Sequence, residues 1–361
     1  MGEPLNLGII GVGAISAQYL ANLPRLPQLN LVAVADLDLA RAEAVAAEHG
    51  GVRACSVDEL LADPSVDTIL NLTIPAAHAP IALRAIAAGK NVYGEKPLAV
   101  TTTEAGEVLD AAEKAGVLVG CAPDTVLGTG IQTARRAIDD GLIGTPVAAT
   151  ATMVTPGHER WHPNPDFYYA AGGGPLLDMG PYYVSALVTM LGPVDRVVGV
   201  ASHLRDSRVI GAGPRAGEVV PVSIDTHVTG ILTHESGAIS TLLMSFDAVA
   251  SMAAPIEVHG DAGSLAVPDP NMFDGAVRLF PITGDGWAEL PVSAGYRDSG
   301  RGIGLADLAD TPDGAEPRAG GRLAFHVLDV LESVLRSADS GREERVDSTV
   351  ERPAAVPLSA G

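Results

Sequence analysis

Short β-branched and apolar runs alternate with alanine-rich stretches of helical period over residues 1–122. This alternation of strand and helix predicts a doubly wound α/β domain with right-handed crossovers. The apolar runs predict buried parallel strands at 5–10, 30–36, 66–72 and 90–95. The helical periods predict helices at 14–23, 39–50, 78–89 and 102–116.

Beyond Cys121 the pattern changes to period-two alternation between turn residues, which predicts an α+β domain. Before these alternating segments we expect a helix at about 125–140, a strand at 145–155 and a loop at 156–174. The Gly-, Asp- and Pro-rich stretch 281–320 is expected to be a surface excursion. The alternating segments predict a large, open, mainly antiparallel β-sheet built from 196–204, 222–234, 237–248, 254–260 and 263–267.

Length and composition fit two folded domains and limit the kinds of partner that the chain is expected to bind. The chain has 361 residues, 47% of them hydrophobic, and a net charge of −21, which argues against a basic face for nucleic acid or anionic membrane. The two cysteines fit no metal or disulfide framework, and no apolar run is long enough to span a membrane, so a cytoplasmic protein without a metal is expected. The predicted domains are 1–122 and 123–361, with the last helix (321–338) packing back on the first domain.

A glycine turn follows the first predicted strand. In GVGAIS, Gly11 and Gly13 provide the bare backbone that a pyrophosphate approaches, and Ser16 is small enough for close helix packing. Asp36 ends the second strand, where a carboxylate accepts hydrogen bonds from the adenosine ribose; the alternative is that it only caps the next helix. NAD is therefore preferred over NADP, although Arg41 is near enough in sequence to serve a phosphate. The cofactor-binding set predicted from this turn is Gly11, Gly13, Ala14, Ile15 and Asp36.

A lysine follows the fourth predicted strand in NVYGEKPLA. Lys96 comes directly after Glu95 and before Pro97, at the carboxyl edge of the sheet where open α/β folds bind ligands. A solvated surface lysine is the alternative. We favour a functional role because of the strand-end position.

The motifs GVGAIS (11–16), GEKPLA (94–99) and GGGPLLDMGPYY (172–183), in this order, resemble the glucose–fructose oxidoreductase, inositol dehydrogenase and MocA oxidoreductases. The resemblance implies a Rossmann domain, a second domain with a large open sheet, and a nicotinamide held in the cleft between them. It also implies hydride transfer at a ring hydroxyl of a sugar or cyclic polyol, and a homodimer or homotetramer. The residues that it adds to the cofactor set are Thr73, Pro75, His78, Glu95 and Lys96. For His78, a purely structural hydrogen bond is as acceptable an interpretation as direct contact with the cofactor.

The resemblance maps the family's lysine to Lys96 and its aspartate to Asp178, whereas its usual histidine corresponds to Tyr182. A free phenol titrates at about 10 and a free lysine at about 10.4, so neither is a ready base at neutral pH, but a nearby ammonium favours phenolate. The hypothesis is that Lys96 and Tyr182 transfer the proton and that Asp178 orients them. The alternative makes Asp178 the N-cap of a helix in which Pro181 lies in the first turn. The predicted substrate-binding residues are Asp124, Trp161, His162 and Tyr169.

Three functions remain open from the sequence. The leading one is an NAD(H)-dependent oxidoreductase acting on the CH–OH groups of sugars, glycosides or cyclic polyols. The second is a redox-cycling enzyme that keeps NAD bound and catalyses elimination or bond cleavage. The third is a non-catalytic, NAD-dependent sensor, ranked last because Lys96 and Asp178 are both present.

Overall fold

The computed structural model describes residues 3–359, and the chain divides into two compact units. The first unit contains the residues up to Leu127 together with Asp298–Leu328. The second contains Gly128–Arg297 and the residues from Asp329 onward. The segment 298–328 thus belongs to the first unit, whereas the sequence analysis assigns it to the second domain.

The first unit is built on a parallel sheet that has six strands within the described residues. Its order across the sheet is third, second, first, fourth, fifth and sixth strand, the doubly wound arrangement that the sequence predicts. The third and sixth strands have three residues each, too short to show a period in sequence. In chain order the strands are β1 (Leu5–Ile10), β2 (Leu29–Ala35), β3 (Arg53–Cys55), β4 (Thr68–Asn71), β5 (Asn91–Gly94) and β6 (Val119–Cys121).

Helices connect these strands, and their apolar faces pack on the sheet. The predicted helices are confirmed, and a further short one begins after Ser56, whose side chain forms a capping box with Glu59. Among the described residues no helix combines the length and the apolar character needed to cross a membrane. The helices are α1 (Ser16–Asn22), α2 (Leu39–Glu48), α3 (Val57–Ala62), α4 (Pro75–Ala87) and α5 (Thr102–Ala115).

The second unit contains helices α6 (Thr129–Asp139) and α7 (Gly174–Leu191), the later part of the last helix, and a large mixed sheet. Pairing in the sheet is antiparallel except between its central strands β7 (Pro146–Val154) and β12 (Ile239–Ser245), which run parallel. The predicted turns 234–238 and 260–264 join antiparallel neighbours. The sheet strands are β7 (Pro146–Val154), β8 (Val194–Ser202), β11 (His227–His234), β12 (Ile239–Ser245), β13 (Ile256–Gly260), β14 (Gly263–Val267), β15 (Arg278–Pro281), β16 (Ala288–Glu289) and β17 (Glu344–Arg345); a separate ribbon pairs β9 (Ser207–Val209) with β10 (Val219–Pro221).

The expectation of a surface excursion at 281–320 is wrong for its later part. Residues Ile303–Ala309 form helix α8, whose side chains are buried through Leu308. The helix has two turns, too few to show a clear helical period in the sequence, and the segments on either side of it are rich in Gly and Pro. The last helix, α9 (Gly321–Ser340), begins in the first unit, where Phe325 and Leu328 pack against the core.

Two glycines let the second half of α9 approach the sheet closely. Gly199 on β8 is paired with Gly230 on β11, and Val334 of α9 lies over both. The backbone N–H of Gly199 also donates to Ser337 Oγ at 2.9 Å. A Cβ at position 199 would collide with the carbonyl oxygen of Val334, so the contact requires glycine.

We predict that Gly199→Ala lowers the free energy of unfolding by about 1–3 kcal/mol, because the added methyl overpacks a backbone contact that cannot move aside. The measurement is urea unfolding followed by circular dichroism. Gly286→Ala is the matched control, since a Cβ at that exposed position meets nothing within 4 Å. Equal unfolding midpoints for the two variants would contradict the prediction.

Candidate active site

The turn after β1 has the backbone form that a phosphate-binding loop needs. Gly11 has φ +92°, and a Cβ there would lie 2.8 Å from the backbone of Leu72. Gly13 is exposed, and a Cβ on it would meet nothing within 4 Å. The first glycine is therefore required by the fold, whereas the second leaves open space beside the start of α1.

Asp36 holds this turn from the end of β2. Its Oδ2 accepts the backbone N–H of Val12 at 2.9 Å, and its Oδ1 accepts the N–H of Asp38 at the same distance. Arg41 Nη1 lies 3.5 Å from Oδ1. A carboxylate has about four lone-pair sites, so the group retains capacity for ribose hydroxyls. The open space at Gly13 and the acceptor at Asp36 fit a dinucleotide.

Lys96 follows β5, and buried neighbours fix its backbone. Glu95 donates its N–H to Asn71 O at 3.0 Å, and its carboxylate accepts both the hydroxyl of Tyr19, at 2.8 Å, and the N–H of Lys96, at 3.1 Å. Burial, and then the Glu95 carboxylate, raise the pKa of Tyr19 well above its usual range. The peptide bond between Lys96 and Pro97 is cis. The carboxylate of Glu95 thus joins α1 to the strand end that presents the lysine.

The other predicted nicotinamide-side residues surround the start of α4. Thr73 donates its hydroxyl to Asn71 Oδ1 at 2.6 Å, and Pro75 is the first residue of the helix. His78 is buried, with Nδ1 2.6 Å from Pro97 O and Nε2 3.0 Å from Thr73 O. The imidazole therefore ties α4 to the residue after Lys96, and its direct contact with a cofactor stays a prediction.

Asp124, a predicted substrate-binding residue, has structural partners in the first unit. The side chain is fully buried, and Oδ2 accepts the N–H groups of Gly302 at 2.8 Å and Gly304 at 3.2 Å. Arg301 Nη1 lies 3.6 Å from Oδ1. Burial is the main cause that raises the pKa of Asp124. These contacts hold the N-terminus of α8, and contact with a substrate remains a prediction.

In the second unit, α7 begins at Gly174 with Pro175 in its first turn. Asp178 is therefore not the N-cap, and Pro181 lies in the interior of the helix. The alternative interpretation, in which Asp178 is only the N-cap of this helix, is wrong. The helix begins earlier, at the glycines, where Gly172 and Gly174 have positive φ. Asp178 and Tyr182 are four residues apart, on one face of the helix.

A histidine that the sequence analysis does not name lies beside Asp178. His158 belongs to a short 3-10 turn, His158–Arg160, and its Nδ1 is 3.7 Å from Asp178 Oδ2. The backbone N–H of His158 donates to the hydroxyl of Tyr169 at 3.1 Å. The structure therefore brings an imidazole, a carboxylate and, one turn along α7, the phenol of Tyr182 into one region of the second unit.

A buried ion-pair network fixes the His158 turn. Arg208 on β9, only 2% exposed, bonds Asp247 at 2.6 Å and Glu159 at 3.4 Å. Tyr169, predicted to bind substrate, is fully buried and donates its hydroxyl to Glu159. Burial, and then that hydrogen bond, raise the pKa of Tyr169. Its contacts are those of a loop anchor, and its role toward substrate stays a prediction.

The remaining predicted substrate residues form an aromatic cluster on the loop. Trp161 is 58% exposed and lies 5.4 Å from His162, centroid to centroid. His162 also packs edge-on against Phe167 at 5.4 Å and Tyr168 at 5.5 Å. The loop thus offers exposed aromatic surface in the same unit as Asp178.

Sequence reasoning missed His158, Arg208 and Asp247 as parts of this region. The partners are far apart in the chain, so spacing alone does not reveal them. A weak signal exists at Arg208, a charged residue at the inward position of a strand with exposed neighbours. Within residues 3–359, no group of three or more His, Cys, Asp or Glu side chains is arranged to hold a metal ion.

Comparison with known families matches both parts of the chain. Residues 5–122 match the oxidoreductase family with an NAD-binding Rossmann fold. Residues 131–266 match the GFO/IDH/MocA C-terminal domain. The two matches agree with the parallel sheet of the first unit and the mixed sheet of the second.

Individual relatives cover most of the chain. The 1,5-anhydro-D-fructose reductase of Ensifer adhaerens is 31% identical over 72% of this chain and 74% of its own length. The D-xylose 1-dehydrogenase (NADP(+)) 2 of Haloferax volcanii is 27% identical over 94% of this chain and 99% of its own. Among solved structures, an NAD binding oxidoreductase from Klebsiella pneumoniae aligns with a TM-score of 0.82 at 28% identity, covering 95% of this chain and 99% of that one.

We predict that Arg208→Met lowers the free energy of unfolding by about 3–5 kcal/mol, because it leaves Glu159 buried without its counter-charge and removes the buried guanidinium from Asp247. Chemical unfolding followed by intrinsic fluorescence measures the loss. Arg205→Met is the matched control: Arg205 also pairs with Asp247, at 3.2 Å, but is 51% exposed, so the expected loss is within about 1 kcal/mol. Similar losses in both variants would refute the role given to burial.

Proposed function

Because the chain belongs to the GFO/IDH/MocA oxidoreductase family, we propose that it transfers a hydride between NAD and a ring hydroxyl or ketone of a sugar or cyclic polyol. The observation that carries the proposal is the Asp178–Tyr182 pair on α7, together with a lysine at the end of β5. Relatives named as a sugar dehydrogenase and an anhydro-sugar reductase support the substrate class.

The residues proposed to hold the cofactor are those of the glycine turn and of Asp36. The open backbone at Gly13 would receive the pyrophosphate, and the carboxylate of Asp36 would accept the ribose hydroxyls. A nicotinamide bound there supplies the hydride acceptor or donor. Asp36 supports NAD over NADP because a carboxylate repels a 2′-phosphate, even though Arg41 lies near it.

The proton of the substrate hydroxyl is proposed to pass to Tyr182. Lys96 is proposed as the second member of this proton-transfer pair. Asp178 orients the reacting groups. During reduction of a ketone the same phenol returns the proton to the new hydroxyl oxygen.

We predict that Gly13→Val weakens NADH binding at least about tenfold, equivalent to about 1.4 kcal/mol, and leaves the stability unchanged. The valine side chain meets no protein atom close to its Cβ and fills the space proposed for the pyrophosphate. Titration calorimetry and thermal unfolding measure the two effects. Gly50→Val is the control, because that exposed glycine also has open space around it but lies outside the turn. Unweakened NADH binding in Gly13→Val would reject the proposed cofactor position.

We predict that Lys96→Ala, Asp178→Asn and Tyr182→Phe each lower kcat by about 10²-fold or more, since each removes a group of the proton-transfer set. The assay follows NADH or NADPH absorbance over hexoses, pentoses, inositols and anhydro-ketoses, in both directions. Tyr183→Phe is the matched control for Tyr182, because the hydroxyl of Tyr183 is buried and bonded to Asp269. Burial and that bond raise the pKa of Tyr183.

The outcomes separate the proposals. Near-normal turnover in Tyr182→Phe would remove the phenol from the chemistry, and normal turnover in Lys96→Ala would reject the whole assignment. Product formed by the wild type without net NADH would favour the redox-cycling function. NADH binding without turnover on the whole panel would favour the sensor.

A further inference from the structure

In the family that the sequence resembles, the position of Tyr182 carries a histidine. Although this chain has tyrosine there, the imidazole of His158 lies against Asp178, the aspartate of the same motif. His158 comes from the loop after β7 rather than from α7, and its Nδ1 is 3.7 Å from Asp178 Oδ2. Both side chains are mostly buried, at 12% and 19% exposure. The carboxylate and the imidazole thus meet from two different elements.

Aromatic rings hold the imidazole in this position. Its centroid lies 4.3 Å from that of Phe246, 4.5 Å from that of Tyr168 and 5.3 Å from that of Trp161. The Tyr168 ring packs edge-on, at an interplanar angle of 85°. Rings on several sides restrict the rotamers of His158, so its approach to Asp178 is built into the packing.

The charged groups around His158 come from its own turn, from β9, from the segment after β12 and from α7. Arg208 on β9 pairs with both Glu159 on the His158 turn and Asp247 after β12. Tyr168 and Tyr169 contribute phenols, and the hydroxyl of Tyr169 is bonded to Glu159. From α7 the charged group that faces the imidazole is Asp178.

We propose that His158 is a positioning residue that acts through Asp178. At 3.7 Å the pair is longer than a hydrogen bond, so its attraction is that of opposite charges and is present when the imidazole is protonated. The imidazolium then holds the Asp178 carboxylate in the orientation that the reaction uses. This inference rests on the proposed function, in which Asp178 orients the reacting groups.

The first test compares kcat/KM against pH for the wild type and His158→Gln. The ratio of wild type to variant is expected to be largest, about 10- to 100-fold, below the ordinary histidine titration near ~6.5, and to shrink above it. His203→Gln is the matched control, because His203 also faces a carboxylate, Asp225 at 3.1 Å, but at an exposed position; its profile should follow the wild type. A ratio that is close to one, or is constant with pH, overturns the proposal.

The second test needs no turnover. The imidazole signal of His158 is followed by NMR in histidine-labelled protein and assigned by its loss in His158→Gln. In Asp178→Asn this signal is expected to titrate at lower pH than in the wild type, because the carboxylate that favours the imidazolium is gone. An unchanged titration overturns the inference. A wild type that turns over no substrate of the panel would instead reject the proposed function, and the NMR result would still decide for His158.

Discussion

The ion pairs of Arg208 are the constraint on which the region around Asp178 depends. One guanidinium binds Glu159, next to His158 in the chain, and Asp247, next to Phe246, whose ring packs on that histidine. The turn that carries His158 and the segment after β12 are thereby fixed to the ribbon of β9 and β10. A buried ion pair is weak evidence for stability. The role of these ion pairs is therefore geometric: they set where the imidazole and the aromatic loop residues lie relative to α7.

Carboxylates have a comparable role in the first unit. Asp36 bonds the N–H of Val12 in the glycine turn, Glu95 joins Tyr19 to the backbone of Lys96, and Asp124 holds the start of α8. Each fixes backbone near a predicted site residue by accepting N–H or O–H groups that burial would otherwise leave unsatisfied. Some acidic residues of this chain therefore stabilise its backbone through hydrogen bonds. The net charge of −21 does not show which acidic residues have that role.

Local patterns predicted the local structure well. The apolar runs, the glycine turn and the period-two segments gave the strand and helix bounds to within a few residues, because burial on a sheet imposes those periods. What failed needed long-range information. Helix α8 is short and flanked by Gly and Pro, α7 starts at Gly174 because a glycine at positive φ precedes the proline, and the parallel pairing of β7 with β12 joins strands distant in sequence. The partners of Arg208 are likewise separated along the chain, so no spacing rule reveals them.

The motif around Asp178 departs from the family pattern along the sequence but has an imidazole beside it in space. Read along the helix, tyrosine in place of histidine suggests that an imidazole has been lost from the site. Read in space, an imidazole is present beside the same carboxylate, supplied by the loop before the glycines. Under the proposed assignments the two side chains divide roles that one histidine would combine: the phenol on α7 handles the proton, and the imidazole pairs with the aspartate. A substitution within a motif is therefore judged by which groups surround its neighbours, rather than by the motif position alone.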